Sequence, residues 1–214
     1  MNLIKDVISY YASNSSYVFS LFYRHFLMSV YGVLFAAIVA IPLGFFIARK
    51  RKLAPWVMGV ANVMQTIPSL AMLSILMTVM GLGPNTVIMA VFLYSILPIV
   101  KNTYTGVINI DENIKDAAIG MGMTRLQLTT MVEFPLSISV IMAGLRNALV
   151  LGVSITTVGT FIGAGGLGDI ITRGINVTGG SAIILAGALP TALMAILCDL
   201  FLGFLERKLD PTVR

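Results

Sequence analysis

The chain reads LAPWVMGVANVMQTIPSLAMLSILMTVMGLGPNTVIMAVFLYSILPIV from Leu53 to Val100, and none of these 48 residues is charged. A helix needs about 20 apolar residues to cross the hydrocarbon core of a bilayer, so this run is too long for one span. Residues 81–85 (GLGPN) are typical of a turn. The run therefore predicts two spans, near 54–80 and 86–104, and the first is long enough to tilt or to break at Pro68.

Three further spans follow from the same criterion. Residues 26–48 carry no charge and end at the basic cluster 49–52, a fourth apolar run covers 137–160, and a fifth covers 181–204. The whole chain of 214 residues is 57% hydrophobic and 11% charged, with a mean hydropathy of +0.95, whereas soluble domains carry about 25% charged residues. We therefore predict an all-α, polytopic protein of the cell membrane, embedded in the lipid bilayer through about five transmembrane helices.

The basic residues are unequally divided between the two sides of this arrangement. One side holds ten of the 14 basic residues, and the other holds Lys5, Arg24 and Arg173. The ten are Arg49, Lys50, Arg51, Lys52, Lys101, Lys115, Arg125, Arg207, Lys208 and Arg214. Because positive charge accumulates on the cytoplasmic side, the N-terminus is predicted outside and the C-terminus inside. The predicted parts are an extracytoplasmic segment 1–24, a membrane domain 25–204 with a cytoplasmic loop at about 105–136, and a cytoplasmic tail 205–214.

The predicted cytoplasmic loop contains an unusual polar segment, DAAIGMGMTRLQLTTMVEFP, at residues 116–135. It opens with helix formers, is expected to turn at Gly122, where a backbone without a side chain bends freely, and then continues amphipathically. A proline at position 135 is expected to end the segment and to start the next span. A helix-turn-helix of this kind on a membrane protein is typical of a surface offered to a partner.

The spacing of this segment resembles the EAA loop of binding-protein-dependent ABC importers. That loop has Glu-Ala-Ala, three residues, Gly, nine residues and then Ile-x-Leu-Pro. The matching positions are Asp116, Ala117, Ala118, Gly122, Val132, Phe134 and Pro135, with Asp for Glu, Val for Ile and Phe for Leu. The resemblance implies a type I importer permease whose loop docks on a cytoplasmic ABC ATPase dimer.

Four further segments resemble the quaternary-ammonium branch of these permeases. They are IPLG (41–44), QTIPSL (65–70), LYSILPIVKNTY (93–104) and IGAGGLG (162–168), with Lys101 where that branch often has Arg. The resemblance implies import of glycine betaine, carnitine, choline or a similar solute. It also implies an extracytoplasmic substrate-binding protein and a second permease subunit, identical or homologous.

Polar side chains inside the spans are candidates for the solute pathway, because at membrane depth they are expensive unless they face protein or water. Asn62, Gln65, Thr66 and Ser69 share one face of a helical second span, and Ser154, Thr157 and Thr160 form a second stripe. The alternative is that such residues bond their own backbone or join helices. Phe92, Tyr94 and Tyr104 are aromatic candidates for contact with a quaternary ammonium.

The sequence argues against enzymatic and nucleotide-binding functions. It contains no Walker A phosphate loop, so ATP and its Mg²⁺ are expected on the separate ATPase chain, and no cofactor is expected on this one. Residues 163–168 (GAGGLG) match the dinucleotide fingerprint but follow a membrane span rather than a β-strand, so a tightly packed or flexible outer turn is expected. His25 is not expected to be a ligand, and Cys198 is interpreted as an apolar filler. The basic residues form no continuous face that would suit nucleic acid.

Two other readings of the function stay open. One is a related ABC permease for another small polar solute, such as an amino acid. The other is a self-sufficient secondary carrier or channel, although no acidic residue occurs between Asp6 and Asp111 and ion-driven carriers usually need intramembrane carboxylates. Of the remaining charges, Asp169 and Arg173 are expected to pair on the outer side or to help dock the binding protein. Arg146 is expected to snorkel or to pair with a partner helix.

Overall fold

The computed structural model describes residues 3–209, which form helices and turns without any strand. The predicted all-α fold is confirmed. The α-helices are α1 (Leu3–Arg49), α2 (Ala54–Thr66), α3 (Ser69–Met80), α4 (Pro84–Ile108), α5 (Glu112–Gly120), α6 (Arg125–Gln127), α7 (Phe134–Val158), α8 (Gly168–Ile175) and α9 (Ser181–Leu209). Short 3-10 helices cover Arg51–Leu53 and Gly159–Ile162, and a π-helix covers Leu128–Glu133.

Within the described residues, four helices are long and apolar enough to cross a membrane, or five if the bent pair α2–α3 counts as one span. This matches the predicted number of spans. The first of them, α1, has 47 residues and is roughly 70 Å long at 1.5 Å per residue. It includes most of the predicted N-terminal segment 1–24, and its one residue with non-helical dihedrals is Asn14. Residues 210–214 of the predicted tail, including Arg214, lie outside the described residues.

The second span is broken, as the sequence suggested, at Pro68. Helix α2 ends at Thr66, α3 begins at Ser69, and the two helices differ in direction by 97°. The expected common face of Asn62, Gln65, Thr66 and Ser69 is therefore wrong for Ser69, because the helical period does not continue across the break. Pro42 also lies inside a span, and α1 continues through it without non-helical dihedrals at that position.

The directions of the spans alternate along the chain when the bent pair α2–α3 is counted as one span. Helices α1 and α4 run parallel, since Gly32 packs on Val91 and Gly44 packs on Thr103, each so closely that an added Cβ would lie 2.5 Å from the neighbouring side chain. Helix α7 runs antiparallel to α1, with Ser29 bonded to Thr156 at 3.0 Å. The end of α1, the segment between α4 and α7 and the end of α9 consequently lie at one end of the bundle.

The core of the bundle lies where α1, α4 and α7 meet. Several small side chains lie in it, and Ala36, Ala40, Ala90 and Ala148 are each fully buried. Small residues let helix backbones approach closely in a membrane, where packing rather than the hydrophobic effect drives helix association. Cys198 is buried in the same core, in agreement with its interpretation as a filler.

Candidate functional site

The candidate site is the segment between α4 and α7, residues 109–135, which we call the loop segment. Its first helix, α5, is capped by Asp111, whose carboxylate accepts a hydrogen bond of 2.9 Å from the backbone N–H of Asn113. Such a cap satisfies one of the free N–H groups at a helix start. The helix ends at Gly120, and Gly122 follows with φ of +82°, a conformation that glycine adopts without strain. The predicted turn at Gly122 is confirmed.

The second half of the loop segment starts with a capping box. The backbone N–H of Thr124 donates to Gln127 Oε1 at 2.8 Å, and the N–H of Gln127 donates to Thr124 Oγ1 at 3.3 Å. This reciprocal pair fixes the start of a new helix. From Arg125 the chain stays helical through α6, the π-helix and α7, as a run of 38 residues that ends at Ile162.

Pro135 starts the next span, α7, as expected, but it does not end the loop segment with a break in the helix, so that part of the expectation was wrong. It occupies the first turn of α7, directly after the π-helix Leu128–Glu133. A proline inside a regular helix lacks an N–H and clashes with the carbonyl four residues earlier. The wider π-turn relieves that clash, so the loop segment passes into α7 without a break.

The other predicted docking residues lie on α5 and at its turn. Asp116 and Ala117 are exposed, whereas Ala118 is buried. Gly122 faces open space, with no atom within 4 Å of the position a Cβ would take. Pro135 is half-buried and lies farther along the continuous helix. The motif therefore has an exposed part at α5 and a structural part at Pro135.

Several large apolar side chains of the loop segment are exposed, and the sequence analysis missed them. Met121 and Leu126 are each 73% exposed, Met131 is 64% exposed and Ile119 is 56% exposed. They flank the Gly122 turn on a segment that also carries many polar residues. Large apolar side chains exposed together on one segment make it a candidate interaction site. The combination of these apolar residues with a glycine turn in a polar segment is visible in the sequence, and it could have indicated their exposure.

Two ion pairs join the loop segment to Arg49 at the end of α1 and to Arg51 in the 3-10 helix that follows. Arg49 bonds Glu133 at 3.3 Å, and Glu133 is buried to 5% exposure, while Arg51 bonds Glu112 at 3.2 Å on the surface. Arg49 also donates to the Arg125 carbonyl at 3.3 Å and to the Thr129 hydroxyl. In the sequence this basic cluster indicated only the orientation, because pairing across 61 or 84 residues has no local signature.

Two predicted pathway residues, Gln65 and Tyr94, join the region of the break at Pro68 to α4 through a pair of hydrogen bonds, which we call the clasp. Gln65 Nε2 donates to the Tyr94 carbonyl at 2.8 Å, and the Tyr94 hydroxyl donates to the Ile67 carbonyl. Pro98 explains the first bond, because it has no N–H to offer to the carbonyl four residues earlier. The extended backbone of Ile67 likewise leaves its carbonyl free for Tyr94. Tyr94 is thus buried in a structural contact.

The remaining polar candidates divide into two groups. Asn62 and Ser154 are exposed on α2 and α7. Thr66 and Thr157 bond their own backbone, at the carbonyls of Val63 (2.7 Å) and Val153 (3.0 Å), which fits the alternative reading of such residues. Solute contact by any of them stays a prediction.

The glycine-rich turn at residues 163–168 is packed against α1. Leu167 N–H donates to His25 Nδ1 at 3.2 Å, and His25 Nε2 lies 3.0 Å from the Val153 carbonyl. Because Nδ1 accepts, Nε2 carries the proton and the ring is neutral. An added Cβ at Gly168 would lie 2.1 Å from the Thr157 carbonyl oxygen. The turn is therefore the tightly packed one of the two expected forms.

Two outer charges do not pair with each other as expected. Asp169 accepts from the Thr160 hydroxyl, and Arg173 donates to the Tyr17 hydroxyl at 3.0 Å. Arg146 of α7 pairs with another helix, α9. It contacts Asp199 at 2.7 and 2.9 Å and Glu206 at 3.1 Å. Among residues 3–209 there is no group of three His, Cys, Asp or Glu side chains that could hold a metal ion.

Comparison with known proteins places this architecture in a family. Residues 40–214 match the model of the binding-protein-dependent transport system inner membrane component. The chain is 63% identical over 211 residues to the glycine betaine/carnitine/choline transport system permease protein OpuCD of Bacillus subtilis, covering 99% of this chain and 92% of that protein. It is 60% identical to the carnitine transport permease protein OpuCD of Listeria monocytogenes, with 99% and 95% covered, and to the choline transport system permease protein OpuBD of Bacillus subtilis, with 99% and 93% covered.

A solved structure shares the fold at low identity. The inward-facing MetNI methionine ABC transporter contains a chain that superposes with a TM-score of 0.80 at 17% identity, covering 90% of this chain and 95% of that one. The similarity supports a type I importer permease fold.

Proposed function

Because the chain belongs to the binding-protein-dependent transport system inner membrane components and has several helices long and apolar enough to cross a membrane, we propose that it is the permease subunit of an ATP-driven importer of a quaternary-ammonium compatible solute. The solute class follows from the relatives, whose names specify glycine betaine, carnitine and choline. Full-length coverage at 60% identity or more supports a shared substrate class.

The proposed assembly contains three kinds of partner. A cytoplasmic ABC ATPase dimer binds ATP and Mg²⁺, a second permease subunit completes the pathway, and an extracytoplasmic binding protein delivers the solute. The family description names the binding protein. The absence of a phosphate-loop sequence from this chain supports placing hydrolysis on another polypeptide.

The loop segment is proposed to face the cytoplasm. It lies at the same end of the bundle as the basic cluster 49–52 and the end of α9, the side to which ten of the 14 basic residues were assigned. The positive-inside bias supports this orientation. The N-terminus is then outside the cell.

The loop segment is proposed to be the surface that docks on the ATPase. The observation that carries this proposal is the exposure of Met121 and Leu126, each 73% exposed, on the polar stretch of sequence between the apolar runs 86–104 and 137–160. A partner that covers them gains buried apolar area. Asp116 is exposed on α5, which precedes Met121 and Leu126 in the chain. Its carboxylate supplies charge for pairing with a basic residue of the partner.

Movement of the docked segment would reach the spans through two rigid connections. The continuous helix from Arg125 to Ile162 joins the segment to α7, and the Arg49–Glu133 pair joins it to the end of α1. A continuous hydrogen-bonded helix transmits displacement along its axis better than a hinge would. We therefore propose that closure of the ATPase dimer displaces α1 and α7 together.

Reconstitution in liposomes tests the proposed function. The assembled importer should take up glycine betaine, carnitine or choline only when binding protein and ATP are supplied on their proper sides. Vesicles that contain this chain without the ATPase are the control and should show no uptake. Concentrative uptake by this chain alone would contradict the proposal, as would uptake of none of the three solutes by the full assembly.

A matched pair of variants at Gly122 tests the docking role. Asp and Asn both tolerate positive φ better than other residues, and the position has open space, so Gly122→Asp and Gly122→Asn differ mainly in charge. We expect G122D to uncouple ATP hydrolysis from uptake, and G122N to retain most uptake. Unchanged uptake by G122D would count against docking at this turn.

A further inference from the structure

A cleft that the docking role does not use lies between the end of α2 and the middle of α4 and α7. Its volume is about 610 Å³, within the range of about 300–1,000 Å³ that small-molecule sites occupy. Four of its eight lining residues are polar. The lining residues are Gln65, Leu97, Pro98, Lys101, Asn102, Asn147, Val150 and Leu151.

The charge in this cleft is uncompensated by the chain itself. Lys101 makes no ion pair with any carboxylate in residues 3–209, and none of the lining residues is acidic. It lies seven residues before the end of α4 at Ile108, or roughly 10 Å along the helix. A cation in a spanning helix is expensive unless it faces water or an anion, and the Lys101 side chain is exposed.

The neighbouring amides add hydrogen-bonding capacity beside the cation. Gln65 uses one N–H on the Tyr94 carbonyl and Asn102 uses one N–H on the Pro98 carbonyl, which leaves each with a second N–H. Asn147 makes no hydrogen bond within the described part of the chain and is exposed. An ammonium and several amide donors converging on one cleft suit a carboxylate, because charge-assisted hydrogen bonds are about twice as strong as neutral ones.

We propose that this cleft binds the carboxylate of a zwitterionic quaternary-ammonium solute in transit, with Lys101 as its counter-charge and Asn102 and Asn147 as hydrogen-bond donors. The inference rests on the proposed function, and it adds the residues that contact the solute and the orientation in which the solute lies. The positive side chain also repels the trimethylammonium end, so the solute lies with its carboxylate toward Lys101. Choline has the same cation without a carboxylate, and gains nothing from this contact.

The difference between these solutes provides the test. The complete importer is reconstituted with wild-type chain or with Lys101→Met, which keeps the length of the stem and removes the charge, and uptake of carnitine, glycine betaine and choline is measured. We expect kcat/KM for the two carboxylated solutes to fall at least about tenfold, while the value for choline changes less than about twofold. Lys101→Arg should restore carboxylated solutes, and Lys208→Met, which removes a lysine outside the cleft, should change none of them.

A second variant and a lipid series separate this inference from others. Asn147→Ala should reduce uptake of the carboxylated solutes by a few-fold and spare choline. Equal loss for all three solutes with K101M, or a loss that follows the anionic lipid content of the vesicles, would overturn the inference in favour of a structural or lipid-headgroup contact. If the wild-type importer takes up choline alone, the inference about the cleft is overturned while the proposed function stands. If the wild-type importer takes up none of the three solutes, the proposed function itself is rejected.

Discussion

The Tyr11 hydroxyl donates a hydrogen bond of 3.0 Å to the carbonyl of Ala186, across 175 residues of sequence. That carbonyl lies four residues before Pro190, inside α9, and a proline cannot donate to it. Tyr11 therefore supplies the partner that the helix itself lacks, and it ties the N-terminal part of α1 to α9.

The same arrangement occurs in α4. Pro98 leaves the Tyr94 carbonyl without a helical donor, and Gln65 of α2 donates to it at 2.8 Å. An unsatisfied carbonyl within a bilayer costs several kcal/mol, and neighbouring helices commonly satisfy those that prolines release. Two of the prolines in spanning helices are thus also points of attachment between helices.

The first prediction tests the Tyr11 bond by a double-mutant cycle. Tyr11→Phe should lower the free energy of unfolding by about 1 kcal/mol, because it leaves the Ala186 carbonyl unpaired. In a Pro190→Ala background the restored N–H bonds that carbonyl, so the same Y11F change should have an effect of no more than about 0.3 kcal/mol. Thermal unfolding in detergent measures both, and equal effects in the two backgrounds would show that the proline is irrelevant.

A second prediction concerns the break between α2 and α3. Tyr94→Phe removes the hydroxyl that bonds the Ile67 carbonyl and should loosen the break, since local opening follows the loss of such bonds. Hydrogen–deuterium exchange of peptides covering residues 66–72 should become about five- to tenfold faster. Tyr104→Phe, on the same helix, is the control, because no hydrogen bond of its hydroxyl is seen in the described residues. Equal protection of the break in Y94F and wild type would refute the clasp.

Much of this fold can be predicted from the sequence because the membrane sets a strong length criterion. Each apolar run of about 20 residues marks a span, and α4 and α9 lie close to their expected positions. Pro68 was identified as a breaking point because its backbone chemistry is local. The angle of that break was not predictable, and the predicted position of Ser69 on the helix face was wrong for this reason.

What the sequence could not provide are contacts between distant residues. Arg146 and Asp199 are 53 residues apart, and no pattern in the intervening sequence indicates that α7 and α9 bring them together. Pro135 was misinterpreted for a different reason. A proline rule based on regular α-helix geometry does not anticipate a preceding π-helix, so the continuity between the loop segment and α7 emerged only in the structure.

The third prediction tests the packing of the glycine-rich turn. An alanine at Gly168 would place its Cβ 2.1 Å from the Thr157 carbonyl oxygen, a backbone atom that cannot rotate away. Gly168→Ala should therefore destabilise the protein by about 2–3 kcal/mol. Gly59→Ala is the matched control, because that helical position has no atom within 4 Å and alanine favours helix by up to about 1 kcal/mol. Melting temperatures of the purified variants decide the matter, and a G168A protein as stable as wild type would contradict the packing.

The fourth prediction addresses the charge network between α7 and α9. Arg146 forms a bidentate contact with Asp199 and a further bond to Glu206, so Arg146→Met leaves two neighbouring carboxylates without their cation. Removing one partner of such a network is more damaging than neutralising all of it. We expect R146M to lower the melting temperature by at least about 3 °C, and the triple variant R146M/D199N/E206Q to recover most of that loss. Arg125→Met, on the exposed loop segment, controls for simple loss of a positive charge. A triple variant no more stable than R146M would contradict the role of the charge network, because the triple variant no longer holds the carboxylates that R146M leaves without a cation.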